Sequence, residues 1–271
     1  MSRNTGRLGI DNRPQSADTE TQSSEISFVA PTEYVDLPSK GLFYKEGHPL
    51  HGVDTIEVRE MTAKEEDILT SRALIKKGVV FDKLLASTIV DKRIDPNSLL
   101  VGDRNAIIIA LRISGYGAEY QTKVTCPMCM SHESRTHDLE ELPHNNWEEC
   151  LKEEGIAVED GLFAITLPKT GLSVKARPLN GFDERQLSKI GDSDVVTGQL
   201  KRFIVAVNGR AEKEAIKAAV DQMPAMDAKY LRVTYKKITP NIDFEGDFDC
   251  SFCNFGTKLE MRLNPEFFWF E

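Results

Sequence analysis

Basic side chains are not in excess in this 271-residue chain, which has 34 Lys and Arg against 43 Asp and Glu and a net charge of −9. Proteins that bind the nucleic-acid backbone generally carry a basic surface, so the composition disfavours that class. Long apolar runs are also lacking, since the tightest apolar cluster, residues 106–111, ends at Arg112. A membrane span needs about 20 apolar residues, so we predict no span. The N-terminus has no apolar segment of the secretory type, and we expect a soluble intracellular protein.

Motifs of catalysis are scarce. The sequence has no Walker loop and no G-x-S-x-G motif. Gly115-Tyr116-Gly117 begins like a dinucleotide-binding motif, but Tyr120 occupies the place of the third glycine and no strand–helix–strand pattern surrounds it. His48 and His51 lie in a Pro/Gly-rich loop with no nucleophile near them in sequence. We therefore predict that the protein is not an enzyme and has no small-molecule substrate.

Cysteine is rare, at five residues, but four of the five form two C-x-x-C pairs: Cys126 with Cys129, and Cys250 with Cys253. Each pair follows a strand-like run and precedes a polar turn and a returning apolar run, which predicts a tight turn at the tip of a β-hairpin. Two such turns that face each other give the tetrahedral four-sulfur shell of a structural zinc site. We predict that these four cysteines bind one zinc ion.

Alternatives for the cysteines stay open at this point. Disulfides are disfavoured in a reducing compartment, a redox motif would open a helix, and ordinary buried thiols are the remaining possibility. His132, His137 and His144 could each replace one ligand, although four thiolates already complete the shell. Cys150 is predicted to pack a helix. A closed four-thiolate site has no position for a catalytic water, so it disfavours a metal-dependent hydrolase.

The chain divides into three predicted segments. Residues 1–27 are polar, with almost no large apolar side chains, and are predicted to be a disordered tail that could order on a partner. Residues 28–140 form a first αβ half that ends in one zinc knuckle. Residues 141–271 form a second αβ half that ends in the other zinc knuckle and an aromatic tail. The halves look like pseudo-duplicates, and the predicted fold class is α+β, with helical bundles, small β-hairpins and a split zinc ribbon.

Periodicity and end signals place the individual elements. Residues 55–59 alternate like a strand, and Thr62 with Glu65 forms a capping box at the start of a helix expected to reach Gly78. Residues 163–167 and 173–176 predict a hairpin. Further helices are predicted at residues 80–90, 103–114, 147–154, 183–190, 195–207, 212–222 and 226–238.

The chain ends in four consecutive aromatics, Phe267-Phe268-Trp269-Phe270. They could dock across their own domain and bury most of their surface. They could also anchor a partner, since aromatics are enriched at interface hot spots. The sequence leaves both interpretations open.

Three segments carry a resemblance to a known family. They are residues 37–44 (Leu-Pro-Ser-Lys-Gly-Leu-Phe-Tyr), residues 61–69 (Met-Thr-Ala-Lys-Glu-Glu-Asp-Ile-Leu), and residues 102–117, which lead towards the first cysteine pair. In this order, from about Val35 to Leu263, the chain resembles the baseplate hub subunits and hub assembly proteins of contractile-tailed phages of the T-even type.

The resemblance implies a structural or assembly role in the hub region of a phage tail baseplate. It implies a location in the virion tail, or in the host cytoplasm during assembly. The implied partners are other baseplate and hub proteins, and no enzymatic activity is implied. A zinc-ribbon protein that binds nucleic acid is the alternative, which the acidic composition disfavours.

Overall fold

Two short antiparallel strands come first in the computed structural model, which describes residues 30–189, 194–261 and 263–269. Strand β1 (Thr32–Asp36) pairs with β2 (Thr55–Arg59), with Val35 opposite Ile56. Alternate residues of these strands are buried, as a half-buried strand requires. The predicted strand at residues 55–59 is confirmed, whereas the predicted tail at residues 1–27 lies outside the described residues.

A break at Ser71 divides the first helical segment into α1 (Ala63–Thr70) and α2 (Arg72–Lys77), before α3 (Val80–Thr88). The single helix predicted up to Gly78 is therefore wrong, although Gly78 does end α2 with a φ of 66°. Five residues turn a helix by about 500°, so Leu69 and Leu74 would lie on different sides of one straight helix. Both side chains contact the core, and the break allows this. The extended backbone of Ser71, with ψ of 101°, lets each helix orient separately.

Helix α4 (Val101–Tyr116) is the central helix, because most of its circumference is buried. It ends at Gly117, whose N–H donates to the carbonyl of Ile113. The chain then forms the hairpin of β3 (Glu119–Thr125) and β4 (His132–Asp138), followed by α5 (Trp147–Glu153).

An antiparallel four-stranded sheet follows, with β5 (Ala157–Glu159), β6 (Leu162–Thr166), β7 (Ser173–Ala176) and β8 (Ile204–Val207) in that order. The predicted β6–β7 hairpin is confirmed, with Phe163 opposite Ala176. The helix predicted at residues 195–207 is wrong in its last turn, because residues 204–207 form β8 against β7. The β-branched side chains of residues 204–207 favour a strand, and pairing with β7 makes this segment a strand rather than a helix.

The remaining helices pack around this sheet and the central helix: α6 (Gly181–Leu187), α7 (Val195–Phe203), α8 (Lys213–Asp221) and α9 (Ala225–Ile238). The second cysteine hairpin consists of β9 (Glu245–Asp249) and β10 (Gly256–Glu260), and a 3₁₀ helix follows at Pro265–Phe268. None of the described helices has the length and apolarity that crossing a membrane requires.

One hydrophobic core draws on residues from Val35 to Phe268 and includes buried side chains from α4, β6 and α9. The mixture of helices and strands confirms the α+β class. The division at residue 140 and the pseudo-duplication stay predictions. At the C-terminal end Phe267 and Phe268 are fully buried, and Phe267 packs on Tyr120 at a centroid distance of 4.8 Å. These two aromatics therefore dock on their own chain, while Phe270 lies outside the described residues.

Candidate metal centre

The two C-x-x-C turns have the same backbone structure. The N–H of Met130 donates to the Cys126 carbonyl, and the N–H of Asn254 donates to the Cys250 carbonyl, both at 2.9 Å. The N–H of each first cysteine donates in turn to the carbonyl five residues later. Met130 and Asn254 have φ of 60° and 55°, in the left-handed region that side chains rarely adopt. Both turns thus hold the same strained conformation, which directs two sulfurs to one side.

The hairpins bring all four predicted ligands together. The Sγ atoms of Cys126, Cys129, Cys250 and Cys253 all lie within 4.8 Å of one another. Cys126 and Cys253, 127 positions apart, have sulfurs 3.7 Å apart, and Cys129 and Cys250 have sulfurs 3.6 Å apart. These distances are far beyond the S–S bond of about 2.05 Å, so the cysteines are free thiols rather than disulfides.

The sulfur spacing fits one tetrahedrally coordinated ion. Metal–thiolate bonds of about 2.3 Å at tetrahedral angles place sulfurs about 3.8 Å apart. The two short separations lie within about 0.2 Å of that value, and the four sulfurs could hold a metal ion. That Cys126, Cys129, Cys250 and Cys253 are metal ligands, and that the ion is zinc, both stay predictions.

The thiols have unequal proton affinities because their hydrogen-bond partners differ. Hydrogen bonds from the side chain and backbone of Ser131 lower the pKa of Cys129 to about 6. The Phe255 N–H lowers the pKa of Cys253, but burial and hydrogen bonding to the other sulfurs outweigh it and raise this pKa to about 12. A bound cation would stabilise all four thiolates together.

Outside the sulfurs, the two hairpins share a small apolar cluster that is separate from the main core. Cys126, Cys250 and Phe248 are buried in it, and Val124 and Phe255 pack against it. Cys129 and Cys253 are exposed. The centre therefore has an inner buried side and an outer side near solvent.

Polar side chains of β4 also tie the first hairpin to the second. The Glu133 carboxylate accepts hydrogen bonds from the Ser251 N–H at 2.7 Å and from its hydroxyl at 2.6 Å. Arg135 donates to the Asp249 carbonyl, and its guanidinium lies 5.5 Å from the centroid of the Phe248 ring. Glu133 and Arg135 were not predicted, although their spacing of two places them on one face of a strand.

The histidines after the first cysteine pair do not join the sulfurs. His132 and His137 each lie within hydrogen-bond distance of a β3 threonine, at 2.9 and 3.2 Å, and His144 is exposed. Within the described ranges, the metal-capable group contains cysteines alone. Cys150 is half-buried and packs against the main core at α5, as predicted for a helix-packing residue.

Residues 31–269 match the model of one protein family, described as T4 bacteriophage base plate protein. The chain belongs to this base plate family. The match supports a structural role in a phage baseplate, a location in the virion tail and other phage tail proteins as partners. No curated protein and no solved structure is similar enough to the chain to give a match.

Two of the three motif segments meet in a buried junction of this base plate protein. The Asp103 carboxylate accepts hydrogen bonds from the Ser39 N–H at 3.0 Å, the Ser39 hydroxyl at 2.6 Å and the Tyr44 hydroxyl at 2.7 Å. Burial raises the pKa of Asp103, although these hydrogen bonds oppose the effect. The adjacent Gly102 lies so close to Pro240 that an added Cβ would be 2.1 Å from the Pro240 carbonyl oxygen.

The remaining motif segment of the base plate protein forms a buried polar cluster at α1. The Glu65 carboxylate accepts a hydrogen bond from the Thr62 N–H at 2.9 Å. This bond, from the N-cap backbone to the glutamate three residues later, confirms the predicted capping box. Arg59 and Ser87 also donate to Glu65, at 2.6 Å each. Burial raises the pKa of Glu65, but these hydrogen bonds outweigh burial and hold the pKa below its ordinary value.

Proposed function

We propose that this protein is a structural or assembly protein of the hub region of a phage tail baseplate, and that it acts through protein–protein contacts on a zinc-stabilised scaffold. The observation that carries the proposal is the convergence of four cysteine sulfurs within a chain of the base plate family. The scaffold places surfaces for neighbouring subunits and carries out no chemistry of its own.

Zinc is the proposed ion because of the donor set. Four thiolates in tetrahedral geometry bind zinc or iron, and closed four-cysteine sites are the usual form of structural zinc. Cys126, Cys129, Cys250 and Cys253 would each supply one thiolate. The ion would supply charge neutralisation and four bonds that stabilise the fold.

The proposed ion acts as a clamp between distant parts of the chain. The hairpins β3–β4 and β9–β10 are two-stranded, and isolated two-stranded hairpins are marginally stable in water. Metal binding in such sites is coupled to folding, so the ion would stabilise both hairpins at once. The ion would link the proposed halves, residues 28–140 and 141–271, in addition to the contacts that they make in the main core.

Native mass spectrometry of the full chain, purified without added chelator, tests the clamp. We expect one zinc per chain in the wild type and loss of the metal in Cys126→Ser and Cys250→Ser. The control Cys150→Ser should keep the metal, because Cys150 lies in α5 against the core. Hydrogen exchange should accelerate at residues 119–138 and 245–260 in the two metal-free variants. Iron in place of zinc, or serine variants that keep both metal and protection, would contradict the zinc clamp.

Association with the tail is a separate test of the proposed role. Tail particles from infected cells are separated on a density gradient, and assembly intermediates from the host cytoplasm are separated in parallel. We expect the protein in hub-containing particles or in hub intermediates, cross-linked to hub subunits. Its exclusive recovery as a free monomer in both fractions would overturn the baseplate role, whatever its metal content.

A further inference from the structure

Helix α9 presents an outward face on which apolar and cationic side chains alternate. Met226, Lys229, Val233 and Lys236 are spaced by three, four and three residues and so form one stripe. Met226 is 63% exposed and Val233 is 49% exposed. The opposite face packs into the protein through Leu231, Thr234, Tyr235 and Ile238.

A groove of about 600 Å³ lies beside this stripe, between α9, the start of α5 and residues 241–245. Four cations, Lys229, Arg232, Lys236 and Lys237, line it against two carboxylates, Asp243 and Glu245. This local excess of positive charge contrasts with the net charge of −9 for the whole chain. The groove is therefore a basic site on an acidic protein, and its field favours an anionic partner.

The cations of the groove differ in their existing partners. Lys236 donates to Glu245 at 3.0 Å, and Lys237 lies 3.4 Å from a Glu154 oxygen. In contrast, Lys229 and Arg232 form no ion pair with any residue in the described ranges. These two side chains are thus placed to receive carboxylates from another molecule.

Apolar side chains also line the groove. Val233, Ile242 and Phe244 contribute to its lining beside the half-buried Cys150. Cationic and apolar contacts are therefore both available in the one groove. Such a surface fits a segment that carries both carboxylates and apolar side chains.

We propose that this α9 groove is a docking site for an acidic segment, with interspersed apolar side chains, of a neighbouring baseplate protein. The proposal rests on the proposed baseplate function and names the chemistry of one partner. Nucleic acid fits the groove less well, because a sugar–phosphate backbone has no apolar side chains to contact Val233, Ile242 and Phe244, and a net charge of −9 disfavours a long polyanion.

The spacing of the cations sets the spacing of the partner's carboxylates. Lys229 and Arg232 are three residues apart on one helix, which places their side chains next to each other, with Cβ atoms about 5–6 Å apart. Carboxylates one helical turn apart, or two residues apart in an extended strand, match this distance. An apolar side chain next to them would lie over Val233.

Fluorescence anisotropy with the full chain tests the docking site. The probe is a labelled 15-residue peptide of Glu, Leu and Ala, with pairs of Glu three residues apart and Leu between the pairs. Its matched control replaces every Glu with Gln, and a labelled 15-base-pair DNA duplex tests the nucleic-acid alternative. The protein variants are Lys229→Glu/Arg232→Glu and the exposed single Lys229→Glu. A control pair with the same charge change, Lys213→Glu/Lys217→Glu, lies on the exposed side of α8.

We expect the wild type to bind the Glu peptide at least about tenfold more tightly than the Gln peptide, and binding to weaken as salt is raised. The double variant should lose about tenfold or more in affinity, the single variant less, and the α8 pair should match the wild type. Equal affinity of all variants, equal binding of both peptides, or tighter binding of the DNA duplex would each overturn the proposal. None of these results depends on tail assembly, so a failure of peptide binding would not contradict the proposed baseplate role. Absence of the protein from tail particles would contradict that role and would leave the measured peptide affinity unchanged.

Discussion

Replacing Arg112 with methionine is expected to lower the free energy of unfolding by about 3–5 kcal/mol and to loosen the C-terminal segment. The Arg112 side chain is 0% exposed. Its guanidinium donates to the carbonyls of Gly117 at 2.6 Å, Glu119 at 3.1 Å and Phe267 at 3.1 Å. One side chain therefore fixes the end of α4, the start of the first cysteine hairpin and the docked aromatic segment.

The magnitude follows from these three bonds. Each carbonyl that loses its charged donor in a buried place costs about 1–3 kcal/mol, which gives an upper limit near 9 kcal/mol. Methionine fills much of the same volume and removes the penalty of burying a charge, and this recovers part of the loss. The net of about 3–5 kcal/mol should lower the urea midpoint by about 1–1.7 M at an m-value of about 3 kcal/mol/M.

The assay is urea unfolding combined with hydrogen exchange. Arg93→Met is the matched control, because Arg93 is 81% exposed in its pair with Asp91 and exposed ion pairs contribute about 0–1 kcal/mol. Exchange should accelerate at residues 265–269 and at the start of β3 in Arg112→Met alone. If Arg112→Met unfolds at the same urea concentration as Arg93→Met, the reasoning about the buried guanidinium is refuted.

Two further predictions concern the motif segments. Gly102→Ala should destabilise the chain by about 2–3 kcal/mol, because the added Cβ would meet the Pro240 carbonyl oxygen. Gly115→Ala in the same helix meets only the flexible end of Met61, so it should lower the melting temperature less. Equal melting temperatures for the two variants would contradict this. Because the pKa of Glu65 is lowered on folding, its stabilisation is present above the unfolded pKa of about 4.3 and is lost as pH falls. Glu65→Gln should therefore lose stability at pH 7, with a difference from wild type that shrinks in urea unfolding at pH 4 and below; a difference independent of pH would contradict the assignment.

Local signals in the sequence were sufficient for much of the candidate site. A C-x-x-C turn is specified by a few adjacent residues, and its hairpin by the strand-like runs on either side, so both turns were predictable. Their convergence was inferred from the chemistry of four thiolates, and the structure brings the sulfurs within 4.8 Å. The identity of the bound ion depends on the chemistry of its ligands, and the hairpin pattern does not determine it.

Long-range pairing explains the features that local sequence patterns do not predict. Residues 204–207 continue a helical pattern from α7, and pairing with β7 makes them a strand. The bonds from Glu133 and Arg135 to the second hairpin cross more than 100 positions of the chain. Such contacts depend on tertiary structure, and a window of adjacent residues holds no information on them.

The position of the motif segments bears on where partners can bind this protein. Ser39, Asp103 and Glu65 are buried, and their side chains are occupied by hydrogen bonds within the chain. Because a neighbouring subunit cannot reach these three groups, their side chains specify the scaffold rather than its contacts. The α9 groove lies outside the motif segments, and with Lys229 and Arg232 forming no ion pair within the described ranges it has the charge and the apolar lining that the proposed docking of a partner requires.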